Sequence, residues 1–464
     1  MYFQRKAYQD LLRWKELYSG SRAALLEGAR RTGKSTLAER FARTEYRSCI
    51  LLDFSRLSQA LTACFDDMGD LDLFFLRLQA LTGTHLYPGQ SVLVFDEVQL
   101  FPRARQAIKH LVADGRFHYI ETGSLISIRR HVQDILIPSE ELRIPVQPMD
   151  YEEFCAAVGR DYAVLRQLYE RRAPVGRQIS RELMRNLRIY MAVGGMPQAV
   201  EAYVCGSSLA EIDQLKRQII ALYEDDFRKL DASGRLSSMY RAIPAQLSRG
   251  LRRFRISTAL GKRASGRDVR LMSELLDSRT VLPCYNTTDP RVSLTQTRDP
   301  DRFKLYVADT GLFITLLFMD RPAAGEELYS LLLSDRLPAN LGYLYENLVA
   351  QMISASGREL YYHTWDTGDG RHYYEVDFLL ADAARITALE VKSSGTGRHA
   401  SLTAFASRFA RHLGRSIILS HKDVALQDGL EFLPLYMAPF VAGQPGPAAG
   451  MQAAAGRSGR ERSP

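Results

Sequence analysis

Short runs of consecutive apolar residues alternate with amphipathic stretches over the first 150 residues of the chain. Residues 92–95 are unbroken apolar positions, whereas Leu37, Ala38 and Phe41 recur at helical spacing within residues 36–43. Continuous apolar strands separated by helices are typical of a parallel sheet that helices cover on both faces. We therefore predict an α/β domain at residues 1–150, with strands at residues 23–27, 49–53, 91–95 and 117–121.

The pattern changes three times after residue 150. Residues 151–235 are helical throughout, and we interpret them as a helical lid. Residues 236–300 alternate short helices with a basic segment and end in a short strand at 280–285, whereas residues 301–440 return to an α/β pattern. From Gly443 onward the chain consists of Gly, Ala, Pro, Ser and Arg with almost no bulky apolar residue. This composition is typical of disorder, so we predict a disordered tail at residues 441–464.

Composition excludes several classes of protein. Apolar residues make up 46% and charged residues 25% of the 464 positions, which is ordinary for globular domains and unlike a rod, a fibre or a disordered chain. The five cysteines are far apart and form no CxxC motif, which argues against a zinc ribbon or a disulfide framework. The apolar stretch at 312–318 is far shorter than the roughly 20 residues of a membrane span. With no apolar leader at the N-terminus, we expect a cytoplasmic protein that does not bind a membrane.

The net charge of +8 is concentrated in one segment. Residues 241–270 hold nine basic side chains and one acid, Asp268, so this segment alone carries a charge of +8. Such a patch can bind phosphate backbones or an acidic protein surface; the alternative is a solvated basic face. The basic residues are Arg241, Arg249, Arg252, Arg253, Arg255, Lys262, Arg263, Arg267 and Arg270.

Residues 28–35 match the phosphate-binding motif GxxxxGK[ST] without a mismatch. An apolar strand precedes the motif and a helix follows it, as the motif requires. The loop's N–H groups and the positive end of the helix would face phosphate oxygens. Lys34 would reach the β and γ phosphates, and the Ser35 hydroxyl would bind Mg²⁺. The predicted ATP-binding residues are Gly28, Ala29, Arg30, Arg31, Thr32, Gly33, Lys34, Ser35 and Thr36.

Two acids at the end of an apolar strand complement this loop. Asp96 would hold Mg²⁺ through water, outside its direct ligands, and Glu97 would polarise the attacking water. Ser124 follows the next strand and would place a hydroxyl near the γ-phosphate, although Thr-Gly-Ser is also a common turn. Arg143 is a candidate for an arginine that acts on the site of another subunit; it could equally be a surface residue.

Three motifs together, at residues 28–35, 95–99 and 120–124, resemble the AAA-type ATPases of the AAA_14 group. These proteins are commonly fused to a C-terminal region called DUF4143. Residues 148–154, 190–197 (YMAVGGMP) and 303–312 (FKLYVADTGL) resemble further segments of the same family, so the similarity covers about residues 5 to 430. The family usually has Leu-x-Gly-Arg where this chain has Glu140-Glu141-Leu142-Arg143.

The resemblance implies ATP binding, hydrolysis and a winged-helix-like module in the middle of the chain. Residues 256–261 would form its first helix and residues 269–279 its second, the one that can enter a major groove. Arg267 and Arg270 lie at the start of this second helix, and Arg252, Arg253 and Arg255 precede the first. We predict that these five residues contact DNA. The alternative is that the helices pack within an oligomer and touch no DNA.

Residues near the C-terminus have the spacing of the PD-(D/E)xK nuclease fold. Asp377 lies in a predicted strand, and Glu390-Val391-Lys392 ends the next one. In this chemistry two carboxylates bind Mg²⁺ and the lysine activates water beside the scissile phosphate. Glu346, on a preceding helix, would supply a further acid. The resemblance to DUF4143 indicates the same four residues, although many domains of this fold have lost cleavage.

We therefore predict a multidomain α/β protein. It would comprise a P-loop NTPase parallel sheet, a helical lid, a winged-helix-like module and a PD-(D/E)xK nuclease-like domain. The predicted function is that of a Mg²⁺-dependent ATPase that acts as an ATP-driven switch, with DNA, a second copy of the chain or an unidentified protein as candidate partners. One alternative is an ATP-dependent nuclease, which requires Glu346, Asp377 and Glu390 to converge within a few ångströms. The other is an ATP-switched binding module whose C-terminal domain does not cleave.

Overall fold

The computed structural model describes residues 1–66, 68–124, 139–320, 325–334, 341–367, 372–382, 385–393 and 399–443. Most of the predicted disordered tail, from residue 444, lies outside these residues. The chain forms two compact units. The N-terminal unit comprises residues 2–147 with 277–279, and the C-terminal unit comprises residue 1, residues 148–276 and the described part of 280–445.

The N-terminal unit is built on a parallel five-stranded sheet. Its strands are β1 (Ala23–Gly28), β2 (Ser48–Asp53), β3 (Ser91–Asp96), β4 (His118–Ser124) and β5 (Glu141–Pro145). They lie in the order β2-β3-β4-β1-β5. All four predicted strands are confirmed. The prediction omitted β5 because this short edge strand alternates buried and exposed residues and has no continuous apolar run. The helices are α1 (Lys6–Leu17), α2 (Lys34–Glu45), α3 (Gln59–Ala63), α4 (Leu71–Thr82) and α5 (Pro102–Asp114).

Helices cover both faces of this sheet, as the continuous apolar strands predict. Residues of β3 alternate between the two faces: Leu93 and Phe95 join one apolar cluster, and Val92 and Val94 join the other. The first cluster contains side chains of α4 and α5, and the second contains side chains of α1 and α2. The sheet is therefore the central layer of a three-layer α/β unit, with its strand ends free to carry a site.

The C-terminal unit begins with helices, as the periodicity of residues 151–235 predicts. The first of them, at Tyr151–Ala157, starts with a reciprocal pair of hydrogen bonds between Asp150 and Glu153. The helices before the second sheet are α6 (Tyr151–Ala157), α7 (Ala163–Glu170), α8 (Arg177–Val193), α9 (Pro197–Val204), α10 (Leu209–Leu230), α11 (Arg235–Arg241), α12 (Ile243–Ser248), α13 (Ile256–Leu260) and α14 (Gly266–Asp277).

An eight-stranded mixed sheet follows. Its strands are β6 (Val281–Thr287), β7 (Arg298–Val307), β8 (Leu360–Asp366), β9 (Tyr373–Asp382), β10 (Arg385–Val391), β11 (Leu413–Ser420), β12 (Ala425–Gln427) and β13 (Leu430–Pro434). They lie in the order β12-β13-β11-β10-β9-β8-β6-β7. The helices of this part are α15 (Thr310–Leu317), α16 (Gly325–Leu333), α17 (Gly342–Ala355), α18 (Ala400–Arg408) and α19 (Ala438–Ala442).

The predicted boundaries at 235/236 and 300/301 differ from this architecture. Both fall inside the C-terminal unit, and the second lies within β7. The antiparallel pair β6–β7 is continuous with the rest of the sheet because β6 also pairs in parallel with β8. Residues 281–307 therefore belong to the same sheet as Asp377 and Glu390, which two separate domains would not allow.

Both helices of the predicted winged-helix segment are present, and the second starts earlier than predicted. α14 begins at Gly266, three residues earlier than predicted, because Ser265 and Asp268 cap it. The Asp268 carboxylate accepts hydrogen bonds from the backbone N–H and the hydroxyl of Ser265, at 2.8 and 2.7 Å. Arg267 consequently lies in the first turn of α14. The hairpin β6–β7 that follows is part of the large sheet rather than a separate wing.

Two distant motifs meet in the C-terminal unit. The backbone N–H of Gly195, between α8 and α9, donates to Asp309 Oδ2 at 2.6 Å. A Cβ on Gly195 would lie 2.0 Å from the carbonyl oxygen of Met149, and one on Gly311 would lie 2.6 Å from the Cα of Gly194. The glycines at these positions thus allow three backbone segments to approach closely. This contact gives a structural reason for the Gly-Gly and Asp-x-Gly motifs.

Candidate functional site

The phosphate-binding motif forms a tight loop between β1 and α2. β1 ends at Gly28 and α2 begins at Lys34, and Gly33 and Arg31 adopt left-handed backbone angles, with φ of 91° and 67°. A Cβ on Gly28 would lie only 2.2 Å from the carbonyl oxygen of Val146, so only glycine fits there. The loop therefore places a curled backbone at the N-terminus of a helix, which is an arrangement that binds phosphate.

Lys34 is buried inside this loop. Its side chain is 6% exposed, and Nζ donates to the carbonyl oxygens of Gly28 at 3.1 Å and Ala29 at 2.8 Å. Burial lowers the pKa of Lys34 to about 8 despite the opposing attraction of Glu97 and Asp96. A charged ammonium group held only by neutral carbonyls would gain from a nearby anion. The role of Lys34 in binding phosphate is compatible with this position and stays a prediction.

Ser35 and Asp96 meet although they are 61 residues apart. Ser35 Oγ donates to Asp96 Oδ1 at 2.7 Å. Thr122 donates to the same oxygen and accepts the backbone N–H of Glu97 at 3.1 Å. This arrangement is possible because β4, which carries Thr122, lies between β1 and β3. Hydroxyl and carboxylate oxygens are the ligands that Mg²⁺ prefers, so this pair fits the predicted ion.

Glu97 is held in an uncommon backbone conformation. Its φ is 56°, in the left-handed region that non-glycine residues seldom adopt and that is often found at functional sites. Gln99 Nε2 donates to the carboxylate of Glu97. The backbone turn directs the chain away from β3, and Gln99 fixes the orientation of the carboxylate. A carboxylate with a fixed orientation suits the predicted water-polarising role, which stays a prediction.

The remaining predicted residues of the ATP site have different surroundings. Arg30 is half-buried, whereas Arg31 and Thr36 are exposed. Thr32 is buried, and its hydroxyl donates to the carbonyl oxygen of Ala29 at 3.0 Å. Arg5, which the sequence analysis did not identify, donates to the carbonyl oxygen of Thr32 at 2.8 Å and ties the N-terminal segment to the loop.

Ser124 and Arg143 lie on the strands that flank β1. Ser124 ends β4 opposite Gly28, so its backbone is beside the phosphate loop; its side chain lies outside the described residues. Arg143, on β5, pairs in register with Leu25 on β1. Its guanidinium group lies 3.8 Å from the carboxylate of Glu27. Leu25 is three residues before Gly28, so the backbone of Arg143 pairs with β1 about 10 Å before the phosphate loop begins. The roles of Ser124 near the γ-phosphate and of Arg143 in a second subunit stay predictions.

The predicted nuclease residues lie in a cluster of four carboxylates and two lysines, which we call the acidic cluster. Lys304 Nζ donates to Glu375 Oε1 at 2.6 Å and lies 3.7 Å from Glu346 Oε2. Burial alone would lower the pKa of Lys304, but the charges of these carboxylates raise it well above its usual value. The cluster comprises Glu346 on α17, Glu375 and Asp377 on β9, Glu390 on β10, Lys304 on β7 and Lys392 just after β10.

Asp377 and Glu390 have partners of their own. Asp377 Oδ2 accepts the backbone N–H of Val391 at 2.8 Å, and Glu390 Oε1 lies 2.5 Å from Lys392 Nζ. Burial and the neighbouring charge of Glu346 raise the pKa of Asp377 well above its usual range. The carboxyl groups are thus close enough to influence one another, and two lysines compensate part of their charge.

The acidic cluster does not fit a metal site as it stands. Across the described part of the chain, no three His, Cys, Asp or Glu side chains are grouped as metal ligands. The convergence of Glu346, Asp377 and Glu390 that the nuclease alternative requires is therefore not seen among the described residues, and lysine ammonium groups lie beside Glu346 and Glu390. Lys304 and Glu375 were not among the predicted site residues. Lys304 had a signal, since it is the single charged residue in the otherwise apolar segment 303–307.

The basic segment presents its charge to solvent. All nine basic residues between 241 and 270 are exposed, whereas Asp268 is buried. Hydrogen bonds from Ser265, then the nearby Arg235, lower the pKa of Asp268 to about 2. Arg267 pairs with Asp231 at 3.1 Å, and the Arg252 guanidinium lies 3.7 Å over the Tyr373 ring. With carboxylates of the described residues, no ion pair forms for Arg249, Arg253, Arg255, Lys262, Arg263 or Arg270.

Comparison with protein families assigns the two ends of the chain. Residues 20–155 match the model of the AAA domain AAA_14, and residues 341–438 match DUF4143, a domain of unknown function. The chain combines an AAA_14 domain with a DUF4143 domain. The resemblance found in the sequence is thereby confirmed. Between the AAA_14 and DUF4143 domains, residues 184–323 match a further domain of unknown function, DUF8612, which the sequence analysis did not identify.

The comparisons with individual proteins add little to these domains. Cdc6p from Pyrobaculum aerophilum is 12% identical with a TM-score of 0.26, and the match covers 73% of this chain and 97% of that one. Protein VC1899 from Vibrio cholerae is 11% identical with a TM-score of 0.18, covering 91% and 99%. Similarities at these TM-scores support no inference. No curated protein matches the chain.

The match to the AAA_14 model and the geometry of the phosphate loop both indicate nucleotide binding. An AAA domain is a nucleotide-binding ATPase domain, so the family match supports ATP binding by the N-terminal unit. Among the described helices, none is both long enough and apolar enough to cross a membrane.

Proposed function

We propose that the AAA_14 domain binds ATP with Mg²⁺ and hydrolyses it, and that the protein acts as an ATP-driven switch. The observation that carries this proposal is the meeting of three side chains at one end of the sheet. Lys34 lies in the phosphate loop, and the Ser35 hydroxyl and the Asp96 carboxylate are 2.7 Å apart beside it. A phosphate-binding cation next to a pair of Mg²⁺-type ligands is the minimum that this reaction needs.

Each residue has a distinct role in this proposal. The N–H groups of residues 28–33 and Nζ of Lys34 bind the phosphate chain, and Lys34 exchanges its carbonyl acceptors for phosphate oxygens. Ser35 and Asp96 would hold Mg²⁺, which neutralises charge on the phosphates when it is bound. Glu97, oriented by Gln99, accepts a hydrogen bond from the attacking water and aligns it with the terminal phosphate.

Two substitutions test this proposal. Lys34→Ala should weaken ATP binding by tenfold to a hundredfold or more, because a charge-assisted contact contributes about 1.5–3 kcal/mol. Glu97→Gln should retain ATP binding and slow hydrolysis by about 10²–10⁴-fold, since it removes only the group that orients water. Calorimetric ATP titration measures the first effect, and phosphate release under saturating ATP measures the second.

Matched controls separate these effects from a general loss of charge. Lys109→Ala on α5 and Glu39→Gln on α2 make the same chemical changes at exposed positions of the same unit. Both should behave like the wild type. Hydrolysis by Glu97→Gln at the wild-type rate would show that another group orients the water, and full ATP affinity in Lys34→Ala would remove the phosphate loop from the proposal.

We further propose that the basic segment binds DNA. The supporting observation is that all nine of its basic side chains are exposed while its one acid is buried and paired. Arg241 and Arg267 pair with Glu224 and Asp231 outside the segment, and the other seven basic side chains form no ion pair with a carboxylate of the described residues. Arg253 and Arg255 precede α13, and Arg270 lies in α14, so the charges follow the predicted helix pair.

The salt dependence of DNA binding tests this second proposal. The logarithm of the binding constant should fall with the logarithm of salt concentration at a slope of about −0.9 per phosphate neutralised. Reversing Arg252, Arg253 and Arg255 to Glu should flatten the slope. Reversing Arg40, Arg43 and Arg56 in the N-terminal unit is the charge-matched control and should leave the slope unchanged. Salt-independent binding, or no binding at low salt, would refute a DNA role for this segment.

A further inference from the structure

Thr122, which was not among the predicted site residues, contacts both acids of the proposed ATP site. It lies on β4, and its side chain has no exposed surface. Its hydroxyl donates to Asp96 Oδ1 and accepts the backbone N–H of Glu97 at 3.1 Å. A hydroxyl group has one proton to donate, so the proton of Thr122 goes to Asp96 while a lone pair receives the N–H of Glu97. One buried oxygen atom therefore joins the two acids.

The register of β4 brings Thr122 to this position. Ile120, two residues earlier, belongs to the apolar cluster that contains side chains of α2. Alternate residues of a strand lie on the same face of the sheet, so Thr122 lies on the side of α2, the helix that begins at the phosphate loop. The last partners in the pairing of β3 with β4 are Phe95 and Glu121. The next residue on each strand is Asp96 or Thr122, and these two come together.

The peptide group between Asp96 and Glu97 is held on both of its sides. The carbonyl oxygen of Asp96 accepts the backbone N–H of Phe54, just after β2, at 3.1 Å. On the other side, Glu97 turns out of the strand with a φ of 56°, and its N–H meets the hydroxyl of Thr122 instead of a backbone carbonyl of β4. Thr122 therefore fixes the point from which the side chain of Glu97 projects.

Asp96 has a second donor, which differs in its exposure. Ser35 Oγ donates to the same carboxylate oxygen at 2.7 Å, but Ser35 is exposed, so water can take the place of this hydrogen bond. The side chain of Thr122 is fully buried, and a buried polar group that loses its partner is costly. The contact with Thr122 is thus the one that holds the Asp96 carboxylate in place.

We propose that Thr122 is a positioning residue for ATP hydrolysis. Its hydroxyl fixes the acid assigned to Mg²⁺ relative to the acid assigned to the attacking water. This inference rests on the proposed ATPase function and adds to it a residue that acts through Asp96 and Glu97. A displacement of one acid reaches the other through a single oxygen atom. Threonine is branched at Cβ, which restricts the rotation of its side chain and keeps this link stiff.

The first test needs no nucleotide. Thr122→Val preserves the shape of the side chain and removes the hydroxyl, whereas Thr122→Ser retains the hydroxyl. Hydrogen exchange of the full-length protein, read by mass spectrometry with fragmentation that resolves single amides, reports on the N–H of Glu97. This amide should exchange about tenfold faster or more in Thr122→Val, because its acceptor is gone. In Thr122→Ser it should exchange at close to the wild-type rate.

Thr82→Val is the matched control. It makes the same chemical change at the end of α4, where the hydroxyl of Thr82 donates to the carbonyl oxygen of Leu78 at 2.7 Å. It should leave the exchange of the Glu97 amide unchanged. Thr122→Ala also removes the hydroxyl and should give the same result as Thr122→Val, so the test does not depend on the folding of one variant. A thermal melt of each variant checks that it is folded.

The second test separates ATP binding from hydrolysis. In EDTA, Thr122→Val should bind ATP as the wild type does, because Lys34 and the phosphate loop are unchanged. With Mg²⁺ and saturating ATP, its kcat should fall by about tenfold to a hundredfold, the cost of leaving buried polar groups without a partner. The Mg²⁺ concentration that gives half-maximal hydrolysis should rise. Thr122→Ser should recover most of both losses, and Thr82→Val should match the wild type.

The outcomes distinguish this inference from the proposed ATPase function. A Glu97 amide that exchanges at the wild-type rate in Thr122→Val would overturn the role of Thr122, as would a Thr122→Val protein with wild-type kcat and Mg²⁺ dependence. Weaker ATP binding by Thr122→Val in EDTA would show general damage to the site and would also overturn it. A wild-type protein that binds no ATP would instead overturn the ATPase function, and the exchange measurement would still decide whether Thr122 holds Glu97.

Discussion

Replacing Lys304 with methionine would remove the buried cation of the acidic cluster while preserving much of the side-chain volume. Lys304 Nζ lies 2.6 Å from the carboxylate of Glu375 and 3.7 Å from that of Glu346. Methionine can fill the same space but cannot compensate these charges. The substitution therefore measures how much the carboxylates depend on the lysine, and it separates a paired structural cluster from an incomplete metal site.

The structure allows an estimate of the cost. At an effective dielectric constant of about 20, charges separated by these 2.6 and 3.7 Å distances attract by about 6 and 4 kcal/mol. The cost of burying the ammonium group offsets a large part of this attraction. Measurements on other proteins show that removing one partner of a buried ion pair costs about 3–5 kcal/mol. We expect Lys304→Met to lower the free energy of unfolding of the C-terminal unit by about 4 kcal/mol.

Fluorine NMR of protein labelled with 5-fluorotryptophan provides the assay. The chain has two tryptophans, Trp14 in the N-terminal unit and Trp365 on β8 of the C-terminal unit, so each unit has its own signal. In a urea titration, the transition of Trp365 should move to lower urea by roughly 1 M or more, given denaturant slopes of a few kcal/mol per molar. The transition of Trp14 should not move. Lys262→Met, the same change at an exposed position, should shift neither signal by more than about 0.5 kcal/mol.

The pH dependence identifies the cause of the loss. Without Lys304 the pKa of Asp377, already raised, should rise further. A carboxyl whose pKa is raised in the folded state destabilises the protein above that pKa and not below the unfolded value. The cost of Lys304→Met should therefore be smaller at about pH 5 than at about pH 8. Adding Glu375→Gln should restore part of the stability, because it removes one of the uncompensated charges.

Two results would refute this reasoning. If Lys304→Met and Lys262→Met move the Trp365 transition equally, the lysine does not balance the carboxylates. If Mg²⁺ or Mn²⁺ stabilises the wild-type C-terminal unit, and Asp377→Ala abolishes the effect, the cluster binds a metal despite its lysines. The second result would support the nuclease alternative.

Two further predictions concern buried groups in each unit. Burial, followed by the charge of Glu141, raises the pKa of Glu121, so this carboxyl group costs the N-terminal unit stability as the pH rises. Glu121→Gln should therefore stabilise the N-terminal unit more at about pH 8 than at about pH 5. An equal gain in the urea midpoint of the Trp14 transition at both pH values would contradict this. Gly195→Ala should destabilise the C-terminal unit by about 1–3 kcal/mol, since its Cβ would lie 2.0 Å from the carbonyl oxygen of Met149. The Trp365 transition measures this loss, and Gly266→Ala, in the same unit, is the control because its Cβ would meet no atom within 4 Å and, like Gly195, it has no positive φ.

The features that could be predicted from the sequence depend mostly on residues that are close together along the chain. The phosphate loop follows from one eight-residue motif, and the first four strands follow from continuous apolar runs. The contact of Ser35 with Asp96 follows from the rule that parallel strands present their carboxyl ends at one edge. The loop and the strands could be predicted because local sequence decides them, and the contact of Ser35 with Asp96 then follows from where the strands end.

The features that were missed depend on contacts between distant segments. Thr122 binds Asp96 only because β4 lies between β1 and β3, an order that no local pattern specifies. Arg5 reaches Thr32 across 27 residues, and Lys304 reaches Glu375 across 71. The predicted boundary between residues 236–300 and 301–440 falls within β7, where no local pattern marks the continuity of the sheet. The pairing of β6 with β8 spans a long intervening segment and leaves no local signal.

The strand order of the second sheet constrains how the protein can be synthesised. β6 and β7 leave the ribosome as a hairpin, but the second partner of β6, on the side toward the centre of the sheet, is β8, which begins only at Leu360. Until then one edge of β6 has unpaired N–H and C=O groups, which can pair with the same edge of another nascent chain. The five strands of the N-terminal unit, in contrast, are all complete by Pro145. A chain that stops between β7 and β8 would therefore carry a finished five-stranded sheet joined to an aggregation-prone hairpin.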